Sequence, residues 1–504
     1  MGLTEALGVT VPPLAQLTAS DVVVAAVPVV VLSALIAYFL LRPKSLGEYP
    51  LPPILPGLPV LGGALKFLGG PLNLIDEGTK KLGQVWTLNI FHKKMTFLIG
   101  PEVTPHFFKA KDTELSQKEV YSFNVPTFGK GVVFDVDHKI RAEQFRFFAD
   151  SLGTLRMKTY IGMMVQEAEA FFDQWEDEGQ VDILQKLSEL IILTASRCLL
   201  GKEVRENLFN TVYKYFHDLD MGMRPISVFF PYLPIEAHRK RDAARAELAR
   251  IFSKVIQLRK AKGVKEPDML QSFIDARYRS GELAGQALTD DQICGLLIAA
   301  LFAGQHTSSI TSTWTTLRVL DNKATWWPRL VEEQKAIMRE YGTEINYESL
   351  SKMTELYKCI KEALRLHPPL IMLLRYVQVP FNVTTAEGKS YTIPKGHIVA
   401  TSPTYNHRRE EVFSDPLKYD PDRFAPGREE DKKAAFSFVG FGGGRHGCMG
   451  ETFAFLQIKT LMAYMLRNFD LEPVGSLPEV DYEAMVVGPK GDCPVTFKRR
   501  KVTV

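Results

Sequence analysis

One cysteine, Cys448, lies near the end of a glycine-rich run whose residue types suit metal binding. The run Phe436 to Gly450 reads FSFVGFGGGRHGCMG and has glycines before the thiol at 440, 442, 443, 444 and 447. Glycines let the backbone take positive φ angles and approach a flat ligand closely. A helical pattern follows from Glu451 to Leu466, and a helix N-terminus favours the thiolate that a metal needs. These features together indicate a thiolate-ligated haem.

Glycine-rich loops before helices have other uses, since many bind phosphate or are only tight turns. Here no Gly-Lys-Ser/Thr follows, and a dinucleotide-binding loop would need a preceding strand and a ribose-binding acid. The full pattern F-x-x-G-x-x-x-C-x-G, from Phe441 to Gly450, is more specific and resembles the cytochrome P-450 superfamily. The resemblance implies a mostly α fold with small β-sheets. It also implies that Cys448 is the axial ligand of haem b, iron protoporphyrin IX, and that Phe441, Gly442 and Gly450 bind this cofactor.

The composition is that of a large globular protein. The chain has 504 residues, 46% of them hydrophobic, and a formal net charge of +3. Its length allows two or three domains or one large enzyme fold, and its near-neutral charge gives no reason to expect a nucleic-acid partner. The five cysteines are scattered and contain no Cys-x-x-Cys pair. They indicate a reducing compartment rather than a disulfide framework.

An uncharged stretch, residues 22–41, precedes this body. A helix of that length spans a hydrocarbon core of ~30 Å. A cleaved signal peptide would have a shorter apolar region behind basic residues, whereas the first basic residue here is Arg42, with Lys44 close behind. That distribution favours a cytosolic body. The sequence predicts an N-terminal segment 1–45 with a single-pass transmembrane helix at about 22–41, a proline-rich linker 46–63 and a catalytic domain 64–504.

Several stretches that must position the site have recognisable patterns. The β-branched and aromatic content of Val85 to Ile99 predicts a hairpin, and Tyr391 to Gly396 resembles another. Helix formers with apolar residues three and four apart predict helices over about 139–276. Within that range, Met221 to Pro234 is an apolar, proline-broken loop. It is either a lid or membrane-contacting surface, or a buried loop.

A long buried helix is predicted from the capping box Thr289 to Gln292 as far as about Leu320, because it is apolar on nearly every face. A polar cluster, AGQHTSS, interrupts it at Ala303 to Ser309. The structural explanation is that hydroxyls bond back to carbonyls one turn earlier, and it suffices for Ser308 and Ser309. For Gly304 and Thr307 a small residue followed by a hydroxyl could instead face a ligand and donate a proton.

The resemblance assigns this cluster to oxygen activation, with Thr307 and His306 as the catalytic residues. Most superfamily members carry Asp or Glu where this chain has His306. That departure, in the run GQHTSS from Gly304 to Ser309, resembles the sterol 14α-demethylase family, and the run Tyr121 to Val136 is most similar to plant and algal members. The resemblance covers Tyr49 through the C-terminus.

The same resemblance assigns roles to further residues. It implies a structural role for three residues that pair with one another: Glu362, Arg365 and Arg423. It places four side chains on the haem propionates: His446, Arg375, Tyr121 and Arg141. It implies seven sterol-contacting wall residues, whose alternative role is ordinary core packing: Tyr121, Phe123, Phe128, Phe134, Ala303, Leu373 and Met485.

The function implied is that of a monooxygenase of the endoplasmic reticulum membrane in sterol biosynthesis. It would take electrons from NADPH through a separate cytochrome reductase and remove a sterol's 14α-methyl group as formate in three oxygenations, leaving a Δ14 sterol. Phe123 favours obtusifoliol as that sterol, and azole-type inhibitors are expected to bind. Two alternatives stay open: a haem-thiolate peroxide isomerase that needs no reductase, and a non-enzymatic haem-binding membrane sensor.

Overall fold

The computed structural model describes residues 47–58 and 61–503, and these form a mainly helical body. The helices in chain order are α1 (Ala64–Gly69), α2 (Pro71–Leu82), α3 (Thr104–Lys109), α4 (Lys118–Tyr121), α5 (Val125–Phe128), α6 (His138–Ser151), α7 (Thr154–Phe172), α8 (Ile183–Ala195), α9 (Lys202–Asn207), α10 (Phe209–Met221), α11 (Pro225–Phe229), α12 (Glu236–Lys262), α13 (Met269–Asp275), α14 (Asp290–Asp321), α15 (Lys323–Tyr341), α16 (Tyr347–Ser351), α17 (Thr354–Leu366), α18 (Pro403–Asn406) and α19 (Glu451–Asn468).

The strands in the described part of the chain are short and belong to four small sheets. They are β1 (Val85–Ile90), β2 (Lys93–Leu98), β3 (Leu115–Ser116), β4 (Glu178–Asp182), β5 (Leu373–Val377), β6 (Phe381–Thr384), β7 (Ser390–Ile393), β8 (Ile398–Thr401), β9 (Phe469–Pro473), β10 (Val480–Asp481), β11 (Gly488–Pro489) and β12 (Pro494–Arg499). The mixture of many helices with small sheets confirms the fold class expected from the sequence.

The largest sheet has the order β1-β2-β8-β5-β3. Its β1–β2 hairpin is the one predicted between Val85 and Ile99, with Val85 opposite Leu98. β2 runs parallel to β8, and β8 pairs antiparallel with β5, placing Arg375 opposite Val399. The sheet therefore fixes the position of β5, the strand that contains Leu373 and Arg375.

The second predicted hairpin lies at different residues from those expected. Tyr391 lies on β7, whose partner is the preceding strand β6, with Val383 opposite Tyr391. The end of the predicted stretch is a turn at Gly396, where φ is +91°. The hairpin itself therefore spans residues 381–393, and the prediction covered only its second strand and the turn beyond that strand.

The long helix α14 forms the centre of the helical body. It begins as predicted at a capping box: the Gln292 N–H donates to Thr289 Oγ1 at 3.2 Å, and the Thr289 N–H donates to Gln292 Oε1 at 3.0 Å. Helices α8, α12 and α17 pack around it. Among the described residues it is the one helix long and apolar enough to span a membrane, but its burial here identifies it as a core helix.

The proline-rich stretch before α1 follows the surface of the largest sheet. Ile54 forms a bridge with Thr87, and Gly62 forms one with Ile90. Leu55 is only 2% exposed. The described part of the predicted linker thus has no helix but is packed against the body. The predicted anchor at 22–41 lies outside the described residues.

The proline-broken stretch from Met221 to Pro234 contains the short helix α11. One side is fastened inward, since the Ser227 hydroxyl oxygen lies 2.9 Å from His238 Nε2 and both residues are buried. The tip is open, with Phe230 57% and Tyr232 70% exposed. The stretch is therefore a fastened loop with an apolar exposed tip.

Candidate active site

The glycine-rich loop is folded back on itself immediately before α19. The Cys448 N–H donates to the Phe441 carbonyl at 2.8 Å. Gly442 and Gly444 have φ angles of +71° and +61°, which favour glycine. At Gly444 a Cβ would lie 2.0 Å from the Phe108 carbonyl oxygen. The loop therefore needs glycine at 444, where its backbone passes directly against α3.

The thiol of Cys448 stands just before the first residue of α19 and is exposed. Surrounding protein still desolvates it enough to raise its pKa, while the backbone N–H groups of Gly450 and Glu451 act in the opposite direction. Such N–H groups at a helix start stabilise a thiolate. The other four cysteines are buried.

Arg375 is a buried cation close to this loop, with 4% of its surface exposed. Its Nη1 donates to the Leu374 carbonyl at 2.7 Å, and the Leu374 N–H donates to the Tyr121 hydroxyl oxygen at 3.2 Å. With the amide of Gln117 in its satisfied orientation, the amide oxygen accepts from Nη1 and Nη2 at 3.1 and 3.3 Å. No carboxylate in the described part of the chain forms an ion pair with this guanidinium, whose pKa is lowered by burial.

Asp112 joins two other predicted propionate ligands. His446 Nε2 lies 2.9 Å and Arg141 Nη2 lies 2.6 Å from its Oδ1. Burial opposes ionisation of the Asp112 carboxyl, but His446 and Arg141 outweigh it and lower its pKa. Gln117 links the groups, because its amide nitrogen donates to His446 Nδ1 at 3.3 Å. Sequence reasoning missed both Asp112 and Gln117, whose positions carry no motif.

The polar cluster of α14 borders open space. Ala303 is exposed although it lies mid-helix, and a Cβ on Gly304 would meet no atom within 4 Å. The Thr307 hydroxyl donates to the Ala303 carbonyl at 2.7 Å. Ser309 donates in the same manner to the His306 carbonyl at 3.1 Å. Thr307 thus makes the back-bond expected for its serine neighbours, and the helix continues unbroken through the cluster.

His306 is paired with a carboxylate from another helix. Its Nε2 lies 3.0 Å from Oδ1 of Asp220, near the end of α10. The hydrogen bond with Asp220 raises the pKa of His306 despite partial burial. The pairing therefore favours the protonated form of His306, and imidazole is a side chain that commonly transfers protons. Asp220 was missed in the sequence because nothing local relates it to residue 306.

Aromatic rings connect the loop before α6 with α14. The ring centroid of Tyr121 lies 5.3 Å from that of Phe134 and 6.5 Å from that of Phe123. Phe128 lies 6.2 Å from Phe134 and 6.1 Å from Phe302 of α14. The structure therefore brings four of the predicted wall residues together and adds Phe302, which the sequence analysis did not single out.

The remaining predicted wall residues come from other elements. Leu373 is half-buried on β5, and Ala303 is exposed on α14. Met485 is 40% exposed in the turn between β10 and β11. That turn is fastened nearby, since the Val487 N–H donates to the Pro369 carbonyl at 2.9 Å. Their contact with a sterol stays a prediction.

The donor set fits a haem held by one thiolate. Cys448 supplies a single exposed sulfur. Arg375 is a buried cation that forms no ion pair with a carboxylate of the described residues, and a buried cation of this kind suits an anionic propionate. Among the described residues no group of three or more His, Cys, Asp and Glu side chains could hold a metal by itself. A bound haem would supply oxygen activation, with the thiolate donating electron density that favours O–O cleavage.

Comparison with known proteins shows that these features do not come together by chance. The sequence model of the family Cytochrome P-450 matches residues 52–493. The chain belongs to the cytochrome P-450 family. This membership confirms the predicted haem cofactor and the monooxygenase class.

Relatives narrow the position of this cytochrome P-450 within its family. Obtusifoliol 14-alpha demethylase of Sorghum bicolor is 57% identical over 91% of this chain and 92% of its own length. Sterol 14-demethylase of Arabidopsis thaliana is 57% identical over 90% and 92%. Lanosterol 14-alpha demethylase of Homo sapiens is 36% identical over 89% and 86%. The chain is thus a member of the sterol 14-demethylase group, as the sequence pattern predicted.

A solved structure gives independent support for the fold of this cytochrome P-450. The retinoic acid-bound cyanobacterial CYP120A1 has a TM-score of 0.78 and covers 90% of this chain and 100% of its own. Its sequence is only 23% identical, so this likeness bears on the fold alone.

Away from the thiol, this cytochrome P-450 buries the three residues predicted to pair. Glu362 accepts from Arg365 at 2.7 and 2.8 Å and from Arg423 Nε at 2.9 Å. All three side chains are 0% exposed. Arg423 also pairs with Glu430 at 2.6 Å. The structure brings the triad together, and its purely structural role stays a prediction.

Proposed function

We propose that this protein is an obtusifoliol 14α-demethylase. It would remove the 14α-methyl group in three NADPH- and O₂-dependent oxygenations, through alcohol and aldehyde to formate, and leave a Δ14 sterol. The observation that carries the proposal is the 57% identity, over nine-tenths of the chain, to proteins with that activity in Sorghum bicolor and Triticum aestivum. The aromatic wall beside α14 supports an apolar substrate with a flat ring system.

The chain's own residues divide the work between proton transfer and orientation. His306 would hold a proton for transfer, because its hydrogen bond with Asp220 raises the pKa of the imidazole. Thr307 lies one residue on, and its hydroxyl must turn from the Ala303 carbonyl to donate elsewhere. Cys448 would hold the haem iron, and Arg375 is the better candidate for a propionate than Arg141, which already pairs with Asp112.

Electron supply and location follow from the same proposal. NADPH electrons would arrive through a separate reductase, and the predicted span 22–41 would anchor the body on the cytosolic face of the endoplasmic reticulum. The exposed Phe230 and Tyr232 suit a surface near lipid. Azole-type inhibitors would enter the sterol site.

We assign substrate choice to Phe123 because the family resemblance implies that members preferring a 4α-monomethyl sterol carry Phe at this position. Its ring lies 6.5 Å from Tyr121 in the aromatic wall. An aromatic ring there would fill the space of a second C4 methyl group, which obtusifoliol lacks and lanosterol carries. One methyl group in an apolar pocket changes discrimination by about 10–200-fold. The protein should therefore prefer obtusifoliol without excluding lanosterol.

The test is competition between the two sterols with reductase and NADPH present, using Phe123→Leu and, as matched control, Phe134→Leu. We expect F123L to gain turnover of lanosterol relative to obtusifoliol, while F134L weakens both alike. Equal turnover of both sterols by the unmodified protein, or an unchanged ratio in F123L, would contradict the assignment. Product formed without NADPH would favour the peroxide isomerase instead.

A further inference from the structure

A buried arginine, Arg245, fastens the aromatic wall to the central helix. It lies on α12 and is 8% exposed. Its Nε donates to the Phe128 carbonyl at 3.2 Å, and its Nη2 donates to the Asp291 carbonyl at 3.3 Å. Nη2 also lies 3.1 Å from the Asp291 carboxylate, and Nη1 lies 3.5 Å from the Cys294 sulfur. One guanidinium therefore ties the main chain at Phe128 to the first turns of α14.

Two glycines make this attachment possible. A Cβ on Gly295 of α14 would lie 2.3 Å from the Phe128 carbonyl oxygen. A Cβ on Gly129 would lie 2.4 Å from Arg245 Nη2, and its φ of +104° also favours glycine. The Phe128 carbonyl is thus held between the backbone of one helix and the cation of another.

The rest of the loop has a separate attachment. Gln144, which is 0% exposed, donates to the Gly131 carbonyl at 2.9 Å and accepts from the Val133 N–H at 2.8 Å. Loss of Arg245 should therefore release Phe128 without releasing the whole loop. The ring that would move is the one between Phe134 and Phe302.

We infer that Arg245 is a positioning residue that sets sterol affinity by fixing the Phe128 ring. It acts through the Phe128 carbonyl and has no part in proton transfer. This inference rests on the proposed sterol function, because it treats Phe128 as part of the sterol wall.

The test uses Arg245→Lys, since an ammonium cannot reproduce the fork of donors that reaches several acceptors at once. Loss of charge-assisted hydrogen bonds of this kind corresponds to about a tenfold change in affinity. We expect the dissociation constant for obtusifoliol, from the sterol-induced change in the haem spectrum, and KM to rise about tenfold, with kcat within about threefold. Gly295→Ala should act alike, because it pushes the same carbonyl from the other side.

The control is Arg259→Lys, a buried arginine on the same helix that pairs with Glu203 and Asp268 instead. It should leave sterol affinity unchanged. Amide hydrogen exchange without sterol should be faster at residues 125–129 in R245K but not in R259K. Hydrogen exchange separates this inference from the proposed function. A protein that binds no sterol would refute the proposed function, whereas the exchange rate at residues 125–129 would still show whether Arg245 holds that segment.

Unchanged affinity and exchange in R245K would overturn the inference, and so would an equal effect in R259K, which would show general loosening. If R245K fails to bind haem, G295A decides. Unchanged sterol affinity in G295A then contradicts the positioning role.

Discussion

Replacing Glu362 by glutamine (E362Q) should destabilise the protein strongly. The carboxylate is 0% exposed and accepts from Arg365, from Arg423 and from the Asp420 N–H at 2.9 Å. An amide of the same shape removes the charge and turns a donor toward other donors. Arg423 would keep Glu430, whereas Arg365 would lose its only carboxylate partner among the described residues. Breaking a buried ion pair on one side costs about 3–5 kcal/mol.

The shift of the unfolding midpoint per kcal/mol becomes smaller as a chain becomes longer, and for a chain of this length it is about 1–2 °C. The cost therefore predicts a fall in the midpoint of thermal unfolding of about 3–10 °C. The assay is thermal denaturation of the haem-loaded protein. The matched control is Glu355→Gln on the same helix, whose partners Arg329 and Lys358 both keep Asp422. Glu355 is 25% exposed, so its loss should cost under about 1 kcal/mol. A change in E362Q no larger than in E355Q would refute the reasoning.

Two further predictions concern the proton path. Thr307→Ala should keep its haem content but uncouple NADPH consumption from product formation, because loss of a positioned proton donor slows proton transfer by ~10²–10⁴-fold. Full coupling in this variant would show that Thr307 only packs within the helix. Asp220→Asn should lower the pKa of His306, so the alkaline limb of the kcat profile should move to lower pH. The hydrogen bond that raises this pKa stabilises the fold below the imidazole's unfolded pKa and loses that effect as pH rises through the folded one. If the alkaline limb of the kcat profile does not move in this variant, His306 takes no part in proton transfer.

Local signals in the sequence predicted several elements of the fold, and the family resemblance predicted its class. The capping box at Thr289 and the apolar run after it located α14 to within a residue or two, because both signals act within a few positions of the helix. The glycine pattern before Cys448 was equally local. The hairpin predicted from Tyr391 to Gly396 lies instead at residues 381–393, because its first strand has only four residues and was too short to stand out in the sequence.

The unpredicted parts of the site depend on contacts between distant segments. Asp112 meets His446 and Arg141, and Asp220 meets His306, only after folding. Spacing on one helix predicted that Glu362 faces Arg365, but it could not give their complete burial. No periodicity marks such partners, because each is a single polar residue, Asp112 in a turn and Asp220 near the end of α10.

The central claim is that Cys448 holds the haem of this cytochrome P-450, and the reduced, carbon monoxide-treated absorption spectrum tests it most directly. We predict a band at the thiolate-haem position in the unmodified protein and in Cys493→Ala, which alters a buried cysteine elsewhere. Cys448→Ala should lose that band. Retention of the band in C448A would contradict the account.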